Sequence, residues 1–514
     1  MPARRLNEVR RRDIHRRELS HWLIAAASGA VVSSSRASAD ETGPYPRTAA
    51  ELSASVTPVN TSFPPGNVRR YGAKGDARTD DRPAIQAAID SGAGVIFFPS
   101  GTYKIGAPLR IRPDSTQNLT LVGESRTNTY LAPMREDIKD SLGVNALIVN
   151  QADNGKLSIS NLRFWADVAY TGISLYAVEG GCRDHSGQAV FSGSIDNCWF
   201  DHNSTSAGVF RGALNNYRVS NCTFEFMKGC FYREGRGMGD VLFSNNVLSN
   251  CYDAFYDGLS DAVGDNMVTI DGLHVYTHNR GQIVQTRNSN NWVVSNVIVQ
   301  AASAPLAGVG LFAFIDSSNI LCTAFNTAKV KVFGGSGPLG EAISIDSSTV
   351  KLAHGIIDGA NFGIRIRGHG RSVVTIADVD IVNSSSAALT ARTGAAGSRV
   401  SISNCNWSES KGHLIDFTPR TAFDLSMSQC RLMNAGMGAS TARNIHIVTK
   451  GRACFDDCVI GKDNPAATAA FYLDCGGAGE LLLRRPTFLG TAPTGIKTGD
   501  QPVSVINEPP ATLL

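Results

Sequence analysis

The 514-residue chain has no run of eighteen or more apolar residues, which excludes a membrane-spanning helix. Sustained heptads are also missing, so it is not a coiled coil. Charged residues make up only 18% of the chain and aromatics 8%. Neither sign of charge dominates: the formal net charge is +3, and that surplus sits in the first 39 residues, with eight Arg against three acidic groups. The remainder carries 40 basic and 42 acidic residues, so nothing in the composition points to nucleic acid as a partner. Eleven Cys are present without a C-x-x-C pair or zinc-ligand spacing, which removes the usual structural zinc modules.

Residues 1–39 read as an export signal. Seven Arg fall in the first twenty positions, an apolar run extends from Trp22 to Val32, and Ala37-Ser38-Ala39 offers a small-residue cleavage site. The segment His15-Arg16-Arg17-Glu18-Leu19 is similar to a twin-arginine motif, so the expected location is periplasmic or extracellular. Residues 40–66, rich in Pro, Thr, Ser and Ala, read as a linker. The remaining 67–514 read as one domain, divided into a capping module (67–125), central coils (126–462) and a closing coil (463–514) with final strands in Leu481–Phe488.

Repetition carries that reading. A phrase of alternating apolar residues, then Asn, then Cys or an apolar residue, returns about every 25 residues. Tyr217-Arg-Val-Ser-Asn-Cys-Thr-Phe224 and Val400-Ser-Ile-Ser-Asn-Cys-Asn-Trp407 are two copies. Aligned on the Asn, the copies fall at Asn161, Asn197, Asn221, Asn245, Gly272, Asn296, Ala324, His354, Asp378, Asn404, Gln429, Asp457 and Arg485. Such a period marks a solenoid, and the internal period of two makes its unit β-strands. The expected fold is all-β: a single-stranded right-handed parallel β-helix of about 12–13 coils, three strands to a coil. Cys198, Cys222, Cys405, Cys430 and Cys458 each follow the Asn position, so they are expected to stack as buried, unpaired thiols. Cys182, Cys230, Cys251 and Cys475 are less regular, and one pair among them is a candidate disulfide. The Asn ladder is expected to be structural, bonding along the turn. A helix over Thr79–Asp90, with Thr79, Asp80 or Asp81 as cap and Pro83 in its first turn, would close the open end. Strands are expected at Val95–Phe98, Leu109–Ile111 and Leu119–Val122.

The opening Arg70-Tyr-Gly-Ala-Lys-Gly-Asp76, Thr79-Asp-Asp81, Ala84-Ile-Gln-Ala-Ala-Ile89 and Phe98-Pro-Ser-Gly-Thr-Tyr103 resembles that of the pectate-lyase-like β-helix superfamily. The resemblance covers about 60 residues strongly and the coils only in pattern. It implies the fold and a polysaccharide ligand, without choosing among hydrolase, lyase, epimerase and binder. It also suggests Ca²⁺, for which Asp253, Asp257, Asp261 and Asp265 would be oxygen ligands, although four Asp in thirteen residues are more often a polar loop. No organic cofactor is called for, and the oligomeric state is left open.

Polar residues concentrate in the coils between 200 and 290. Lys228, Arg233, Glu234, Asp253, Asp257, His278 and Arg280 form the candidate catalytic set, with Tyr232, Tyr256 and Arg287 beside them for substrate. A hydrolase needs an acid and a second carboxylate; a lyase needs a base and cations that neutralise the uronate. A second column, Trp165, Asp201, Glu225 and Tyr276, follows the Asn turn, with Trp199 and His274 two positions earlier. Adjacent Asp201 and Glu225 would raise one pKa, and Trp faces stack on sugar rings. Loops at 177–193 covering Trp165 and Trp199 would make that column structural instead. Arg365, Arg367, Arg371 and Arg392 read as a solvated basic face. Polygalacturonase signatures are absent or displaced: Tyr252-Asp253 stands where two Asp belong, and Gly368-His369-Gly370 and Gly363-Ile-Arg-Ile-Arg367 lie in the wrong coil order. The uronan-epimerase signature Asp-Pro-His is missing too. Two functions fit: an exported enzyme cleaving an acidic polysaccharide by lyase or hydrolase chemistry, or a non-catalytic polysaccharide-binding scaffold.

Overall fold

The computed structural model describes residues 43–111, 118–135, 138, 146–150, 156–166, 176–180, 191–202, 208–212, 214–226, 229–232, 239–251, 253–256, 266–278, 282–300, 310–327, 339–391, 397–418, 423–437, 442–448, 451–468, 471–474, 480–490 and 496–497. The segment read as an export signal lies outside them. The chain winds as a parallel β-solenoid, and among the described residues every pairing between its strands is parallel. Among the described residues, a wide sheet of twenty-five strands takes up to two strands from each turn, and a narrow sheet of fifteen takes one.

The repeated phrase makes the corner between the two wide-sheet segments. All thirteen aligned positions have left-handed backbone, with φ between 45° at Arg485 and 69° at Gly272. Asn tolerates that conformation better than most residues because its short amide bonds locally. Here the amides also bond from turn to turn: Asn197 Nδ2 donates to Asn161 Oδ1 (2.7 Å) and Asn221 Nδ2 to Asp196 Oδ1 (2.8 Å). At Gly272 a Cβ would stand 2.7 Å from Asn245 Oδ1, so a side chain there would displace that amide.

Alternate residues point inward and stack. Phe164, Phe200 and Phe224 lie ring on ring at 4.8 and 5.2 Å. Cys198, Cys222, Cys405, Cys430 and Cys458 are free and buried, as is Cys251. Several thiols donate to the carbonyl two residues back, as Cys222 does to Ser220 (3.2 Å). Cys182 and Cys475 lie outside the described residues, and Cys230 falls in the strand Gly229–Tyr232. The three capping strands occur where expected, Leu119–Gly123 running one residue longer.

The cap differs from expectation in two ways. Helix α2 runs Arg82–Asp90 behind α1 (Ala49–Ser53), and Thr79 and Asp80 belong to a strand, Asp76–Asp80. Asp81 holds the N-cap position without capping; its carboxylate instead accepts the N–H groups of Lys74 (2.7 Å) and Gly75 (3.0 Å). The second difference concerns the stretch read as a linker. Helix α1 begins with a capping box of Thr48 and Glu51, and Glu51 is buried against Arg70 (2.7 Å). A residue pattern of Pro, Thr and Ser marks turns, but it does not reveal a buried ion pair formed 19 residues away.

Candidate functional site

Two outer faces carry the polar residues. On the wide sheet, the short strands after the Asn turns are Arg163–Ala166, Trp199–His202 and Thr223–Glu225. Phe164, Phe200 and Phe224 point inward, which forces their neighbours outward. The parallel register stacks Tyr130, Arg163, Trp199 and Thr223 in one column and Trp165, Asp201 and Glu225 in the next.

Arg163 organises this face. Its guanidinium is ion-paired with Asp201 and lies 3.8 Å from the Trp199 ring centroid and 5.4 Å from that of Tyr130. Tyr130 meets Trp165 edge-on at 5.8 Å, and the Lys104 ammonium stands 5.8 Å from the Trp165 ring. Both Trp are half-buried, covered by these groups; the loop expected over them, 177–193, is described only in part, as strand ends. Trp199 therefore presents one face to a guanidinium, while Tyr276 is exposed, its ring leaning on His274 at 4.2 Å.

Glu225 is the chemically distinctive group. Burial, then the Asp201 charge, pushes its carboxyl above the ordinary range, opposed by Trp199 and Arg163. The Trp199 indole N–H lies close enough to favour the ionised form, yet it makes no hydrogen bond of ordinary geometry. Arg126 reaches the Asn221 carbonyl (3.0 Å), four residues before Glu225. This face thus sets a carboxyl inclined to hold its proton beside a carboxylate ion-paired with Arg163.

The expected alignment with Tyr276 does not hold. Glu225 pairs with Ser249, and Ser249 with Thr277 across a register shift. Such a bulge sets one extra residue against its partner strand, so Tyr276 falls between rungs. His274 does share the Trp199 column, through Thr223 and Val247.

On the narrow sheet, Arg211, Tyr232, Tyr256 and Gln285 occupy one register column, and Asp253 pairs with Gly229. His278 pairs with Cys251 at the end of a wide-sheet strand, not on the narrow sheet. Lys228, Arg233, Glu234, Asp257, Arg280, Asp261 and Asp265 lie outside the described residues. Arg287 is half-buried and its Nε has no hydrogen-bond partner among the described residues.

The solvated basic face is corrected. Arg365 and Arg367 both bind Glu341, which is 2% exposed, at 2.5 and 3.0 Å. A carboxylate that deep needs paired charge, and two guanidiniums supply it. Arg371 is exposed, and Arg392 lies outside the described residues. Nearby, exposed His369 is ion-paired with Asp346.

Sequence reasoning missed Arg163, Tyr130, Lys104 and Glu341. Arg163 had a visible signal, standing two residues after Asn161 as Trp199 stands after Asn197. Tyr130 and Glu341 had none, because their register crosses coils of unequal length.

Residues 66–306 match the family model described as rhamnogalacturonase A/epimerase, pectate lyase-like. Among curated proteins, alginate lyase 7 of Azotobacter vinelandii is 54% identical over 43 residues, 8% of this chain and 5% of the relative. Mannuronan C5-epimerase AlgE1 of the same organism is 41% identical over 61 residues, 11% of this chain and 4% of the relative. The chain thus spans about a twentieth of these relatives. Among solved structures, the AlgE4 A-module of A. vinelandii aligns with 70% of this chain and 95% of its own length, at 16% identity and a TM-score of 0.33. ORF18 of Geobacillus virus E2 aligns with 70% and 61%, at 15% identity and a TM-score of 0.36.

Proposed function

We propose that this chain, whose residues 66–306 match a pectate-lyase-like family model, is an exported enzyme cleaving an acidic polysaccharide laid along the solenoid. The observation that carries this reading is the Glu225 carboxyl, pushed towards its protonated form beside the Arg163-paired Asp201. Glycoside hydrolysis needs such an asymmetric pair: one acid to protonate the leaving oxygen, one carboxylate to attack carbon or activate water. Neighbouring rungs are about 4.8 Å apart, close to the roughly 5–5.5 Å carboxyl separation of retaining enzymes. Glu225 is the proton donor in this reading and Asp201 the second carboxylate. Arg126, Lys104 and Arg163 favour a polymer carrying uronate groups, and Tyr276 offers a ring face to a sugar.

A second placement of the same function rests on the narrow-sheet column Arg211–Tyr232–Tyr256–Gln285 with Asp253 one rung from Gly229. There Asp253 would act as the base in β-elimination, a role the sequence pattern also extends to its neighbours Lys228, Arg233, Glu234, Asp257 and Arg280. Export rests on residues 1–39 alone. The test is to incubate the purified chain with uronic-acid polysaccharides, with and without Ca²⁺, following new reducing ends and the ultraviolet absorbance of unsaturated products together. Reducing ends alone, abolished by Glu225→Gln or Asp201→Asn, are the expected result. Both signals rising, with sensitivity to Asp253→Asn, moves cleavage to the narrow sheet. Binding without either signal makes the protein a scaffold and ends the enzymatic reading.

A further inference from the structure

The register column that holds Trp199 does not end beside the carboxylate pair. It continues through Thr223, Val247, His274 and Ile298 to Ile356 and Asp380. There Ile381 pairs with Trp407, which brings Asn406 onto the rung after Asp380. Asn406 then pairs with Arg431, and Arg431 with Val459. Ile298 and Ile356 are large apolar side chains left 48% and 41% exposed along this line.

The column runs into a concavity of about 400 Å³, within the range of about 300–1,000 Å³ usual for small-ligand sites. Its apolar lining is Val459 with the buried Cys405 and Cys430. Its polar lining is the exposed amides of Asn404, Asn406 and Gln429. At Asn197, Asn221 and Asn296 the corner amide donates to the coil before it. The side chains of Asn404, Asn406 and Gln429 make no such bond among the described residues. Charges at the rim are already matched, Arg431 with Asp463 at 2.8 Å and Asp457 with Arg485 at 2.7 Å. The concavity therefore offers neutral groups beside apolar surface. An amide both donates and accepts, so it can answer a hydroxyl in either sense.

We propose that this concavity is a secondary saccharide subsite. It takes the ring hydroxyls and the C–H face of one sugar of the same polymer, and Ile298 and Ile356 line the path to it. The proposal rests on the reading that the wide face carries a polysaccharide past Glu225 and Asp201. At about 4.8 Å per rung, the seven rungs from Thr223 to Asn406 span about 34 Å. Only a long chain reaches both places, and for such a chain the second contact is intramolecular. The subsite thus selects for polymer length and takes no part in bond cleavage.

The test combines Asn406→Ala with Gln429→Gly in the full chain, glycine keeping the left-handed backbone at φ 53°. Wild type and variant are compared by affinity electrophoresis through polygalacturonate, polyguluronate and polyglucuronate, and by turnover of long chains against trisaccharides of each. Polymer affinity should weaken by about tenfold or more, and KM for long chains should rise to match. Turnover of trisaccharides, too short to span the gap, should not change. Asn406→Ala alone serves where the double variant fails a circular-dichroism check. Equal retention of wild type and folded variant overturns the subsite and leaves the Glu225 reading standing. Retention without cleavage, lost in the variant, upholds the subsite and ends the enzymatic reading. A wild-type chain that no polymer retains overturns both.

Discussion

Glu51→Gln should open the N-terminal cap. Glu51 and Arg70 are 1% and 0% exposed. Arg70 donates to both Glu51 oxygens (2.7 and 2.9 Å), to the carbonyls of Tyr45 and Phe63 (2.8 and 2.9 Å), and to that of Pro46 (3.1 Å). Tyr71 Oη and the Thr48 N–H each add a bond of 2.8 Å to the same carboxylate. Burial alone would raise the Glu51 pKa; bonds from Arg70, Thr48 and Tyr71, with the Arg70 charge, overcome it and hold it at about 2, against 4.5 normally. At about 1.4 kcal/mol per tenfold, that difference corresponds to about 3 kcal/mol of stability. The folded pKa is the depressed one, so this stability is present above pH 4.5 and is lost as pH falls towards 2. A neutral Gln also leaves Arg70 buried without counter-charge, typically a loss of about 3–5 kcal/mol. Solenoid stability is a sum of local terms, so the cap opens as its own unit. Hydrogen exchange at the Phe97 amide, which donates to Gly66 (2.9 Å), reads that opening. At neutral pH the variant should exchange roughly a hundredfold faster, and the gap should narrow in acid. A change under about tenfold at neutral pH would show the triad to be dispensable.

Three more expectations follow from the same geometry. Glu225→Gln should lower turnover by about 10²–10⁴ while polymer binding persists, and wild-type activity should fall as pH rises through the elevated Glu225 pKa; a flat alkaline limb counts against Glu225 as the acid. Asn221→Val forces a β-branched residue into φ 56° and removes the Asp196 bond, so it should destabilise by about 2–3 kcal/mol in urea titration, whereas Asn221→Gly should cost about 1 kcal/mol or less. Asp346, by hydrogen bond and then by charge, raises the His369 pKa, so this pair stabilises fully below pH 6.5 and loses that effect as pH rises through the folded value. The melting-temperature difference between wild type and His369→Ala should shrink correspondingly from acid to alkaline buffer.

What the sequence disclosed follows the physics of its signals. The turn positions were legible because a left-handed residue recurs wherever the chain makes the same corner, and Asn is the residue most often found there, although Ala324, His354, Gln429 and Arg485 also occupy it. The thiol stack was legible for the same reason, since Cys198 and Cys222 keep a constant offset from it. Coils of one length transmit register, so Asp201 beside Glu225 could be read directly, 24 residues apart. Bulges and unequal loops do not transmit it: one extra residue near Thr277 displaced Tyr276 from the column. Pairings at long range were hidden altogether, and they decide which charges are free. Arg365 and Arg367 looked like a solvated face because Glu341 stands 24 residues before the first of them, and nothing local marks that carboxylate as buried. The same blindness applies to Asn406, Arg431 and Val459, ordinary residues in sequence that line one concavity only when successive coils are stacked. In a solenoid, then, composition and period identify the scaffold, while the chemistry is written in the difference between coil lengths.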